Sequence, residues 1–284
     1  MATETAPSPR TTTRPPLPPP RTDATVRAGQ PRARIGVRTL RRDRWWLAPL
    51  ITVAVLVAFI VYSTFRAFQN RYYYADPYLS PFYSPCLSSA CAKSGAPHIS
   101  LFGDVRVLTP ALYVLLFPLG FRLTCYYYRK AYYRSFWLSP PACAVAEPHK
   151  RYTGETRFPL VFQNIHRYFF YAGLLLCLIL TYDAVLGFDF GGRVGIGLGT
   201  LILLVNAALI WVYTLSCHSC RHIVGGRLKH FSKHPLRYRA WGVVSRLNAR
   251  HMQWAWISLG WIAFTDLYIW LVAAKVFADP RWVA

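Results

Sequence analysis

Two cysteines and two histidines fall within six positions in Ser216-Cys217-His218-Ser219-Cys220-Arg221-His222, where an apolar run about a membrane thick stops and a basic loop begins. Soft thiolates beside imidazoles are the donor set of an iron–sulfur centre with mixed Cys/His ligation, or of zinc. On an ideal helix Cys217 and Cys220 lie about 60° apart and His218 and His222 about 40° apart, with the two pairs on different sides. One centre can use all four only if the helix unwinds there; otherwise it borrows ligands from neighbouring helices. The alternative is no chemistry at all: free Cys is a common buried residue, and His and Arg suit a helix C-terminus by complementing its dipole.

The elements that must position these residues are membrane helices. Of 284 residues 54% are hydrophobic and only 15% charged, which points to a polytopic membrane protein rather than soluble domains. The formal charge of +22 sits in the tail and in loops between apolar runs, a positive-inside pattern and not a nucleic-acid-binding face. Residues 1–35, rich in Pro, Thr, Ala and Arg, cannot bury enough surface to fold and read as a disordered cytoplasmic tail. Residues 36–284 read as an all-α membrane domain of five transmembrane helices, at about 47–68, 107–125, 163–187, 194–216 and 251–277. Arg44, Trp45 and Trp46 anchor the first. Pro110 and Pro118 fall in the second, tolerated where neighbours satisfy the freed backbone. The charge pattern predicts a cytoplasmic N-terminus and an outside C-terminus. Cys86 and Cys91 then lie in an outer loop on the oxidising side and are expected to form a disulfide; a metal there would have only His98 besides.

With five spans, Cys125, His166, Cys217, His218, Cys220, His222 and His251 all come near the cytoplasmic helix ends, so four ends can build a Cys/His nest that no single segment could. Asp183 and Asp266 fall inside spans, toward the outer half, and are candidates for a path for protons or to a lipid-soluble carrier; the alternative pairs them with Arg193 or Lys275. Asn206 reads as inter-helix glue. The basic and aromatic loops at 126–160 and 221–250, with Arg129, Lys130, Arg237 and Arg239, read as a docking surface for a partner. No nucleophile with its base, phosphate-cradling Gly loop or Walker-type Lys supports hydrolase or ATPase chemistry. A transporter would show internal repeats round a midplane site, and none is visible. Electron transfer is left, against a structural anchor whose nest holds zinc or nothing.

Four runs narrow this further: Cys125-Tyr126-Tyr127-Tyr128-Arg129-Lys130-Ala131-Tyr132-Tyr133-Arg134, Asn164-Ile165-His166-Arg167-Tyr168, Ser216 to His222, and Leu247-Asn248-Ala249-Arg250-His251. Together they resemble the large membrane anchor subunit of an actinobacterial succinate dehydrogenase, over about residues 40–284. The resemblance implies a multi-pass protein of the plasma membrane with no succinate-oxidising site of its own. It implies a flavoprotein carrying FAD and an iron–sulfur subunit with further clusters docked on the cytoplasmic face, and electrons passed to menaquinone. It also implies a membrane-embedded Rieske-type [2Fe–2S] centre, with haem b between helix-borne histidines as the alternative found in the wider family. Cys217-His218 and Cys220-Arg221-His222 depart from the soluble Rieske pattern of Cys-x-His and a later Cys-x-x-His. Cys217 and Cys220 are the leading thiolates, Cys125 a substitute, and His166, His218, His222 and His251 compete for the imidazole positions; haem b would favour His166 with His251.

Overall fold

The structure is a computed structural model describing residues 41, 43–97, 109–145, 158–226 and 228–284. The tail expected at 1–35 and His98 lie outside the described residues. The fold is all-α apart from two short strand pairs. Among the described residues four helices are long and apolar enough to cross a membrane: α1 (Leu47–Gln69), α4 (Phe158–Leu186), α5 (Leu198–Leu215) and α8 (His251–Ala273).

The expectation of five spans is therefore corrected to four, and the difference lies at 107–125. There α2 (Pro110–Thr124) has 15 residues, about 22 Å at a helical rise of about 1.5 Å per residue, short of a hydrocarbon core of about 30 Å. Pro110 opens the helix at the position where a missing N–H costs nothing, and Cys125, with φ −66° and ψ 131°, ends it in extended backbone. Residues 73–91 pack against α1 and the start of α2, which hydropathy alone cannot reveal. The hairpin of β1 (Tyr74–Ala75) and β2 (Tyr78–Leu79) leads into residues that fold down into the bundle. There the Ser80 hydroxyl donates to Asp266 of α8 and the Ser84 hydroxyl donates to Asp183 of α4. The Cys86 and Cys91 sulfurs are bonded within this plug.

Within the bundle α5 packs between α4 and α8, and α2 lies along α4. The apolar stretch of α1 is open along its length, as lipid contact requires. One end of the bundle carries α3 (Tyr126–Phe136), α6 (His218–Gly225) and α7 (Pro235–Asn248). At the other end β3 (Gly195–Gly197) pairs antiparallel with β4 (Arg281–Val283), Gly195 opposite Val283. A fully buried ion pair ties the far end of α1 to α8. Arg66 Nε lies 2.7 Å from Asp266 Oδ2, and neither side chain is exposed. The remaining lone pairs of Asp266 accept from Tyr62 and Ser80, and Arg66 also reaches Gln69 and the Arg71 carbonyl. A buried ion pair survives in a low dielectric only with such additional bonds.

Candidate functional site

The Cys/His layer forms where two helices break. Cys125 separates α2 from α3, and Cys217, with φ −64° and ψ 145°, separates α5 from α6. A single extended residue at each break turns a thiol from the helix surface toward the bundle axis, and both cysteines are buried. His251 opens α8, and His166 lies near the same end of α4.

These four residues meet as two crossed pairs. His166 Nε2 lies 3.1 Å from Cys217 Sγ, and His251 Nε2 lies 3.5 Å from Cys125 Sγ. The other nitrogen of each ring meets a hydroxyl one residue before a cysteine: Thr124 Oγ1 is 2.7 Å from His166 Nδ1, and Ser216 Oγ is 2.6 Å from His251 Nδ1. Each hydroxyl proton is already committed, Thr124 donating to the Gly120 carbonyl at 2.7 Å and Ser216 to that of Tyr213 at 2.8 Å. A hydroxyl has one proton, so with that proton on the carbonyl each oxygen accepts from the histidine Nδ1–H. Both rings are thereby set as Nδ1–H tautomers, and both Nε2 lone pairs face a cysteine. Asn248 braces the corner by donating to the Ser216 carbonyl at 2.7 Å.

Rings fill the space between the two imidazoles. His166 stacks on Phe121 at 5.1 Å, Phe121 meets Tyr213 at 5.4 Å, and Tyr213 stacks on His251 at 5.1 Å. Arg122 places its guanidinium 4.6 Å from the Tyr213 ring centroid while donating to Ala255 and Ser258 at 3.1 Å, so a cation sits beside the layer. Burial pushes the Cys217 thiol up to about 12 and raises that of Cys125 as well. Without an electrophile both remain thiols, and a metal binds there by displacing their protons.

The other residues singled out from the sequence lie elsewhere. Cys220 is buried on α6, and no histidine bonds to its sulfur among the described residues. His218 is exposed, and His222 Nδ1 accepts from Arg167 Nη2 at 2.6 Å. Among the described residues, no group of three or more His, Cys, Asp or Glu side chains closes round a point as it would for a single ion. Arg129 is buried with its guanidinium 5.3 Å from the Tyr126 ring, whereas Lys130 and Arg239 are exposed. Arg237 donates to the Val224 carbonyl at 3.0 Å and caps the end of α6. Asp266 is bound to Arg66 and not to Lys275; Asp183 accepts from Ser84. Thr124, Ser216, Asn248, Arg122 and Tyr213 had no site role in the sequence reading. The signal for the first two was present: a hydroxyl residue directly before a cysteine at the end of two separate apolar runs.

Comparison with known proteins agrees with this architecture. No curated protein matches the chain. The family described as actinobacterial succinate dehydrogenase subunit SdhC matches residues 47–275. A solved chain of the Mycobacterium smegmatis Sdh1 complex in the apo form is 57% identical, with a TM-score of 0.82, covering 90% of this chain and 98% of that one. The chain thus belongs to the actinobacterial SdhC family, the membrane anchor and electron-transfer subunit through which a succinate dehydrogenase complex of the respiratory chain delivers electrons to quinone.

Proposed function

We propose that Cys125, Cys217, His166 and His251 hold a Rieske-type [2Fe–2S] centre, through which electrons from a docked iron–sulfur subunit reach menaquinone. The observation that carries this reading is the crossed layer: two buried thiols and two imidazoles whose Nδ1 protons are committed, leaving both Nε2 lone pairs on the cysteine side. Two thiolates and two imidazoles are the donor set of a Rieske-type centre. Thr124 and Ser216 act here as the supporting shell that fixes ring orientation and basicity. When bound, such a centre supplies one-electron transfer at a potential raised by imidazole ligation. Arg122 offsets its negative charge from beside Tyr213. Absence of any third His, Cys or acidic group in either pair, among the described residues, speaks against a mononuclear site. The Phe121 and Tyr213 rings occupy the gap that haem b would need between His166 and His251.

The Cys/His end faces the cytoplasm in this reading. Arg134, Lys229, Lys233, Arg239, Arg246 and Arg250 lie on or beside α3, α6 and α7 at this end, whereas Asp76, Asp189 and Asp279 lie at the end that carries β3 and β4, with Arg193 and Arg281. The N-terminus is then cytoplasmic and the C-terminus outside, consistent with the positive-inside tendency. Lys130 and Arg239 are the exposed cations available to steer an iron–sulfur subunit that itself receives electrons from an FAD-bearing flavoprotein.

The test is electron paramagnetic resonance of the reduced complex. Cys125→Ala and Cys217→Ala are expected to abolish a mixed-ligand signal and electron flow to quinone, with succinate oxidation by an artificial acceptor retained. Zinc would leave the layer silent, and haem absorbance lost in His166→Ala alone would overturn the cluster.

A further inference from the structure

A cavity of about 50 Å³ lies among α2, α4, α5, α8 and the plug, and its lining runs from Ser84 to Arg122 and Tyr213. Ser84 and Pro81 of the far-end plug stand at one extremity, Arg122, Tyr213 and Thr214 at the other. Between them the wall is apolar, with Leu180, Ile210 and Ile262. The volume is far below the roughly 300 Å³ at which small-molecule sites begin, but it has room for about three to five waters, each needing about 10–15 Å³.

Three polar features mark this cavity as more than a packing fault. Asp183, 8% exposed within α4, has the Ser84 hydroxyl as its side-chain partner among the described residues, and Ser84 lines the cavity. An ionisable group inside a span with no ion-pair partner among the described residues is a functional candidate; Asp266, by contrast, is neutralised by Arg66. Pro118 interrupts the hydrogen-bond ladder of α2 and frees the Val114 carbonyl, and both residues line the cavity midway. At the inner extremity the buried Tyr213 hydroxyl has no hydrogen-bond partner among the described residues.

We propose that this cavity is a water-filled proton path, entered at Asp183 and Ser84 on the far side of the membrane and leaving at Tyr213 beside the Cys/His layer. The proposal rests on the reading above in one respect, that quinone receives its electrons at this layer. The reaction balances without a further reagent. Quinone takes two electrons drawn from succinate in the partner subunits and two protons, forming two O–H bonds and a hydroquinone. At least one of those protons comes by way of the Asp183 carboxyl, the Ser84 hydroxyl and the cavity waters, and Asp183 is reprotonated from the far side.

The experiment uses the whole complex in vesicles, with a pH dye in the compartment facing the far end and a menaquinone analogue in the bilayer. Wild type is expected to make that compartment alkaline as succinate is oxidised. Asp183→Asn is expected to abolish this signal and to slow quinone reduction by about 10-fold or more, with artificial-acceptor reduction and the paramagnetic signal unchanged. Asp183→Glu restores both. Ser84→Ala, which leaves Asp183 in place, is expected to give a partial loss and decides the matter if Asp183→Asn does not assemble. A silent far-side dye in wild type, or full rate and full alkalinisation in both Asp183→Asn and Ser84→Ala, would overturn the path. Absence of the mixed-ligand signal in wild type, with far-side uptake still dependent on Asp183, would instead sink the cluster and leave the path standing.

Discussion

Thr124 Oγ1 accepts the Nδ1 proton of His166 at 2.7 Å while its own proton goes to the Gly120 carbonyl. That one hydroxyl holds the ring with Nε2 toward Cys217. Thr124→Val keeps the shape and removes the acceptor, so the tautomer is no longer held. Loss of such a supporting bond costs about 10–100-fold in metal affinity. Titrating the reconstituted complex with iron and sulfide should show that loss, and Ser216→Ala should reproduce it through His251. Unchanged cluster occupancy in both variants would show that the hydroxyls do not set the ligands.

Cys220 stands two residues from His218 and His222 in sequence yet bonds to neither among the described residues. Cys220→Ala should retain the reduced paramagnetic signal and the quinone reductase rate. Cys125→Ala should lose both. The opposite outcome would return the ligand role to the helical Cys217/Cys220 pair.

Arg66 and Asp266 are fully buried partners in different spans. Removing one charge strands the other, at a cost of about 3–5 kcal/mol. Asp266→Ala should therefore lower the thermal stability of the detergent-solubilised complex strongly. Replacing both residues, Arg66→Met with Asp266→Leu, should recover much of it. Thermal unfolding of the three forms measures this, and equal stability of Asp266→Ala and wild type would deny the pair its structural role.

Charge reversal at Lys130 and Arg239 tests docking without disturbing a helix cap. The double variant Lys130→Glu, Arg239→Glu should weaken retention of the peripheral subunits and flatten the salt dependence of their association. Arg237→Glu is a different case, because Arg237 bonds the Val224 carbonyl; its effect should appear as fraying of α6 in hydrogen exchange. Co-purification of the double variant unchanged over a range of salt would place the docking surface elsewhere.

Much of this protein is legible in one dimension. Long apolar runs, read from the sequence as five spans, the basic residues between them and the aromatic anchors demand a membrane bundle, because a helix of about 20 apolar residues satisfies its own backbone in lipid. The Ser216 to His222 run and the Leu247 to His251 run already mark the end of the bundle where soft ligands gather, and with the aromatic run after Cys125 they point to the family. Three matters were decided only in three dimensions. Apolar composition at 107–125 could not disclose that residues 73–91 fold into the bundle and take up part of its depth, since hydropathy reports solvent preference and not what already occupies the space. The charge partner of Asp266 lies 200 positions away, and spacing along a chain carries no information about which helices touch. Helical angles place Cys217 beside Cys220. One extended residue at each of Cys125 and Cys217 instead breaks the helices, turns the two thiols inward and crosses them with histidines from α4 and α8. Backbone torsion at two residues, set by packing of the whole bundle, determines which side chains meet.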